Sequence, residues 1–241
     1  MLLKIGYIAL TVLMLIIIIN LGLKTINKTF KDPSKIKKKK TILVVALLMW
    51  QVYIYIISSL GLLSTYELPP RFPIFLIFPT FLFTGIFIYK NRNNAWIRNI
   101  KPATLIYIQS FRVLVEILFV FSITEGILPK LVTIEGYNFD MIVGILAPIV
   151  AYLVFNKKVA SIKVALYWNY LGLAVLASVI FLFLSSTFAP QIYNSEVPLI
   201  SLEPTKYPYT LIAGFLMPAA VFLHVLSIVQ LSKKDIRDKV A

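Results

Sequence analysis

Apolar residues run through this chain in long blocks that are apolar on every side, and the polar residues collect between them. A bilayer core takes roughly 20 helical residues to cross. Seven blocks approach that length, over residues 5–23, 41–63, 73–89, 103–128, 141–155, 164–188 and 209–231, the fifth being short. Strands of a membrane barrel alternate apolar and polar positions over about 10 residues, whereas a run such as LTVLMLIIII has no polar face. The pattern predicts an all-α fold, a polytopic transmembrane bundle of seven helices making one integral membrane domain over residues 1–241.

Composition sharpens this reading. At 59% hydrophobic residues and a mean hydropathy of +0.87, the chain is too apolar for a soluble domain, which is about half apolar. Lysine and arginine are retained on the cytoplasmic side of short loops. One set of loops (24–40, 90–101, 156–163 and the tail after Leu231) holds nineteen of them, against Lys4, Arg71, Lys130 and Lys206 on the other. That places the N-terminus outside and the C-terminus in the cytoplasm of a plasma (inner) membrane, in agreement with seven crossings. The net charge of +14 does not point to nucleic acid, because the charges are spread over short loops with no domain to present them. From Lys35 to Lys40 the run KIKKKK suits anionic lipid headgroups, at roughly 1 kcal/mol per basic residue. The first block exceeds the roughly 7–15 apolar residues of a secretory signal and no small-residue cleavage site follows, so it is expected to be retained.

Loops are brief, and the longest, 189–208, carries Pro190, Pro198, Pro204 and Pro208. It reads as an extended connection over the outer surface, with a lid as the other reading. Three rising blocks each carry an amide, Gln51, Gln109 and Asn169, and three descending blocks a proline, Pro79, Pro148 and Pro218. Gly144 precedes Pro148 at the offset at which Gly214 precedes Pro218, which suggests either duplicated hairpins or simple packing kinks. A proline inside a membrane helix frees a carbonyl that neighbouring groups must satisfy.

The strongest chemical signal is QSFRVLVE, residues 109–116. Gln109, Arg112 and Glu116 fall on one helical face. Arg112 sits roughly 14 Å along the helix from Ala103, close to the bilayer midplane. A charge there costs about 2.5–3.5 kcal/mol on insertion scales, so the face should point into the bundle or a wet cavity. Glu116 is the natural counter-ion. The pair then either fixes helix packing or handles a solute or proton. Asn169 and His224 lie about 8 and 10 Å from the inner ends of their helices, on comparable levels.

His224 is the sole histidine, so no histidine metal site and no bis-histidine haem is assembled within the chain. It reads as a packing residue or as a partner of Glu116. Tyr167, Trp168 and Tyr170 read as an interfacial belt. In EGYNFD, residues 135–140, Asp140 reads as a helix N-cap, or as part of an outer polar site with Glu135 and Asn138; with Glu125 and Glu135 it would instead hold a cation, although the spacing matches no calcium loop. Zero cysteines exclude disulfides and thiolate chemistry. Motifs of metalloproteases, serine hydrolases and phosphate loops are absent from the sequence. No cofactor, metal or nucleic-acid partner is expected.

The Q-x-x-R-x-x-x-E helix followed by E-G-x-N-x-D resembles an uncharacterised family of bacterial multi-pass membrane proteins, over the stretch from QSFRVLVE through EGYNFDMIVGILAP. That resemblance implies location and topology and carries no mechanism. The resulting expectation is a small-solute permease or binding protein using Gln109, Arg112, Glu116, Asn169 and His224. The alternative is a non-transporting packing or assembly protein whose Arg–Glu pair is structural. A water-filled cavity reaching Arg112 would separate the two.

Overall fold

The computed structural model describes residues 1–233, and over them the chain is helical with short turns and no strand. Helix α1 (Leu2–Thr29) turns back into α2 (Pro33–Ser59). The Asp32 side chain caps α2 by accepting the Ser34 amide at 2.9 Å, and Pro33 occupies the first turn, where its missing N–H is not needed. The lysines from Lys35 to Lys40 are therefore helical, where the sequence pattern started the helix at 41. The span from 41 to Ser59 already covers roughly 28 Å, so the basic turns project beyond the apolar stretch.

Helix α3 (Phe78–Asn91) is entered through a π-helical turn at Pro73–Ile77, and a single turn, α4 (Ala95–Arg98), follows it. The fourth predicted block, 103–128, is two helices, α5 (Pro102–Ile108) and α6 (Phe111–Thr124). At their junction the amides of Gln109, Ser110, Arg112 and Val113 bond three residues back, a tight 3-10 stretch in mid-span. The block also ends earlier than expected. Gly126, at φ 68°, lets the chain turn, and Ile127 and Leu128 fold back under α6 instead of continuing it. After the irregular segment 129–139 come α7 (Asp140–Ala151), which ends in a π turn at Tyr152–Asn156, and α8 (Ile162–Phe188). Helix α9 (Met217–Leu231) is entered through a π turn at Ile212–Leu216.

Six of these helical stretches are long and apolar enough to cross a membrane: α1, α2, Pro73–Asn91, Pro102–Thr124, α8 and Ile212–Leu231. Asp140–Asn156, the block read as the seventh span, is a shorter apolar helix. Its shortness has a structural cause. The segment before it is buried against the flank of α6, with Val132, Thr133 and Asn138 shielded from solvent. Glu116, eight residues or about 12 Å below the end of α6, accepts the Ile134 amide and the Asn138 side chain. Irregular backbone at that depth is tolerated only where protein groups satisfy it. Glu116 and Asn138 supply those groups here, so the segment is inserted through Asn138 and Asp140, which are buried, while Glu135, Tyr137 and Phe139 stay exposed.

Two of the three proline kinks, those of Pro79 and Pro218, are satisfied by one helix. A proline leaves the carbonyl four residues earlier without its N–H, which for Pro79 is Phe75 and for Pro218 is Gly214. Tyr53 donates its hydroxyl to the Phe75 oxygen at 3.1 Å and Trp50 its indole N–H to the Gly214 oxygen at 2.7 Å. The two rings stack at 4.8 Å, so α2 holds both kinks at once. In α3 and α9 alike the π turn ends two residues before the proline, whereas in α7 it follows Pro148. Local geometry thus relates α3 to α9, not α7 to α9 as the Gly-to-Pro spacing suggested.

The longest loop is not extended. It folds into 3-10 turns at Pro190–Tyr193 and Glu203–Thr205 and is pinned where Tyr66 donates to the Ile200 carbonyl at 2.9 Å. Of the basic residues in the C-terminal tail, Lys234, Arg237 and Lys239 lie outside the described residues.

Candidate functional site

Arg112 leaves the kink between α5 and α6 pointing into the bundle, and it is almost wholly buried, at 1% exposure. Its counter-ion is Asp140, not Glu116. Nε donates to Asp140 Oδ1 at 2.9 Å, and Nη2 donates to the same oxygen in a short contact. The predicted Arg112–Glu116 ion pair does not form, because the carboxylate of Glu116 is occupied by the inserted segment. Asp140 is also not the N-cap. It is the first residue of α7, and its amide is taken by Asn138 Oδ1 at 2.9 Å. Asn138 therefore connects the two carboxylates, donating to Glu116 Oε2 at 3.1 Å and accepting from Asp140.

On its other side Arg112 Nη1 lies 2.9 Å from His224 Nε2. A guanidinium has donors only, so Nε2 must accept. The ring hydrogen is then on Nδ1, which donates to Asn169 Oδ1 at 2.9 Å. Asn169 in turn donates to the Ala165 carbonyl at 2.7 Å and to Ser227 Oγ at 3.1 Å. Donors and acceptors alternate without conflict from α6 through α9 to α8. His224 thus partners Arg112 and Asn169 rather than Glu116.

Of the predicted residues, Arg112, Asn169 and His224 form one line with Asp140, Asn138 and Glu116 continuing it upward. Gln109 is buried but stands apart, donating to the Ala220 carbonyl at 3.0 Å, and no described group bonds its Oε1. Glu135 does not join them. It lies at the surface, 2.8 Å from Lys130, and its hydrogen bond and charge hold the Lys130 ammonium above its ordinary range. The predicted aromatic belt divides. Tyr167 and Tyr170 are exposed, while Trp168 turns inward to lie 5.2 Å from the His224 ring.

Two contributors escaped the sequence reading. Ser227 ends the hydrogen-bond line, and its spacing of three from His224 on α9 was the available signal. Gly172 lets α8 approach α9, since a Cβ there would come within 2.3 Å of the His224 ring. It lies three residues beyond Asn169, on the same face.

A cavity of about 130 Å³ opens above the ion pair. Arg112, Asp140 and Asn138 form its polar end, and its walls are apolar: Phe111, Val115 and Phe119 from α6, Leu176, Ile180 and Phe183 from α8, and Leu216 and Met217 at the start of α9. Ile200, Leu202 and Pro204 of the long loop also line it. Glu116, Gln109, Asn169 and His224 do not line it. Among the described residues, no group of three or more His, Asp or Glu side chains is arranged to hold a metal ion.

Helices of this length and hydropathy, gathered round a buried charged network, define a multi-pass membrane protein. The chain belongs to the family described as "Domain of unknown function (DUF8737)", whose model matches residues 69–232. That match takes in α3 to α9, the network and all of the cavity wall except Thr65, and leaves out α1 and α2. No curated protein and no solved structure matches the chain.

Proposed function

We propose that this protein binds a small amphipathic molecule within the membrane, as a single seven-helix domain of a bacterial plasma membrane with its N-terminus outside and its C-terminus in the cytoplasm. The observation that carries this reading is the cavity with apolar walls and a charged floor at Arg112–Asp140. A pair that served only packing would be expected to end against closed protein. Binding is favoured over permeation because His224 and Asn169, next along the line, are fully buried and do not extend the cavity. The run from Lys35 to Lys40, with Lys35, Lys37, Lys38 and Lys39 exposed, would rest against anionic headgroups.

The apolar body can be tested apart from any headgroup. A cavity of comparable size lined by aliphatic and aromatic side chains admits benzene, so toluene is a suitable probe. Toluene should give saturation-transfer NMR signals with the protein in phosphatidylcholine nanodiscs, beyond those of empty discs. Ala213→Trp, which places an indole in the cavity wall, should remove them. Equal signals from protein-containing and empty discs would leave the packing reading in possession.

A further inference from the structure

The polar end of the cavity states what kind of headgroup it takes. Arg112 has five N–H groups, of which two go to Asp140 Oδ1 and one to His224. Two remain. Asp140 Oδ1 accepts both bonds from Arg112, and Oδ2 accepts none from a described residue. Asn138 adds no spare donor: its amide group gives both hydrogens, to Glu116 and Val132, and its oxygen accepts the Asp140 amide. The floor therefore offers spare donors on Arg112 beside a spare acceptor on Asp140, with the formal charges of the two already cancelled.

We infer that the ligand is an uncharged amphiphile, an alcohol or primary amide on an apolar body about the size of one phenyl ring, whose head both accepts from Arg112 and donates to Asp140. This rests on the binding reading above and specifies its ligand class. The physical reason is desolvation. An anion drawn to Arg112 would lie against Asp140, with the Glu116 carboxylate just behind Asn138. A cation drawn to Asp140 would lie against the guanidinium. Either would add a charge to a floor whose own two charges, on Arg112 and Asp140, already cancel, whereas a hydroxyl or amide uses both spare groups and adds none.

Since the chain has no cysteine, a single Met217→Cys variant places one thiol in the cavity wall. Its reaction with N-ethylmaleimide, in phosphatidylcholine nanodiscs, reports occupancy. Three probes share a ring and differ in charge: 2-phenylethanol, phenylacetate and 2-phenylethylammonium. The alcohol should slow labelling at a concentration at least tenfold below either ion. Equal or better protection by an ion overturns the uncharged head and leaves the binding reading intact. No protection by any of the three, or a thiol that never reacts, removes the binding reading itself. In the Asp140→Asn background the floor becomes cationic, and preference should move to phenylacetate. If that variant does not fold, the three-probe comparison on Met217→Cys decides alone.

Discussion

Asp140→Asn is the sharpest perturbation of the network, because it removes charge while nearly preserving shape. In the native site the guanidinium directs two N–H groups at one carboxylate oxygen, and its other acceptor is the neutral ring of His224. Without the carboxylate the cation is stranded at 1% exposure. Breaking a buried pair from one side costs about 3–5 kcal/mol. For a chain of this size about 1 kcal/mol moves the melting temperature by 2–4 °C, so a fall of roughly 6–20 °C is expected. Glu116→Gln loses less. It exchanges one of two accepted hydrogen bonds for a donor facing a donor, about 1–3 kcal/mol.

Thermal unfolding in detergent micelles, followed by tryptophan fluorescence, reads both variants, and Trp168 beside His224 places a reporter at the site. The double variant decides the partner. Arg112→Met with Asp140→Leu removes both charges and should recover most of the loss, whereas Arg112→Met with Glu116→Leu leaves Asp140 stranded and should recover none. If rescue followed the Glu116 pair instead, the assignment of Asp140 as counter-ion would be wrong.

Other consequences follow from close contacts and topology. Gly172→Ala forces a Cβ into the His224 ring and should cost about 1–3 kcal/mol by overpacking, while Gly85→Ala, with nothing within 4 Å, should be neutral or slightly stabilising in the same melting assay. Trp50→Phe removes the donor to the Gly214 carbonyl and should raise amide hydrogen exchange through Ile212–Leu216; unchanged exchange there would mean that α2 does not hold the kink. Reporter fusions after Lys40 and after Ala241 should both report the cytoplasm, as the distribution of basic residues requires; an external signal from either would refute the orientation.

What was legible in the sequence was local. A helix repeats every 3.6 residues, so the shared face of Gln109, Arg112 and Glu116 followed from spacing alone, and so did the inward direction of that face from the cost of charge in lipid. The long apolar blocks were visible for the same reason, although their ends were set by features that hydropathy does not weigh: the Asp32 cap on α2 and the positive φ of Gly126 after α6. The proline-freed carbonyls were foreseeable as a need, but their satisfaction by Trp50 and Tyr53 was not, because those residues are remote in sequence.

The partner of Arg112 illustrates where local reasoning stops. One turn away on the same helix, Glu116 is in reach, yet an acid placed after its base is the weaker order for a helical pair. The decisive factor is the demand of other groups. The inserted segment brings the Ile134 amide and the Asn138 side chain against α6, and Glu116 is the acceptor that meets both. Taking those bonds commits its carboxylate, and Arg112 is completed by Asp140, which the same segment delivers two residues beyond Asn138. Hence one stretch of chain, residues 132–140, both withdraws the expected counter-ion and supplies the actual one. It also shapes the ligand chemistry: the departure of Glu116 leaves a floor of one cation and one anion with a spare group on each, and a floor of that composition selects against net charge.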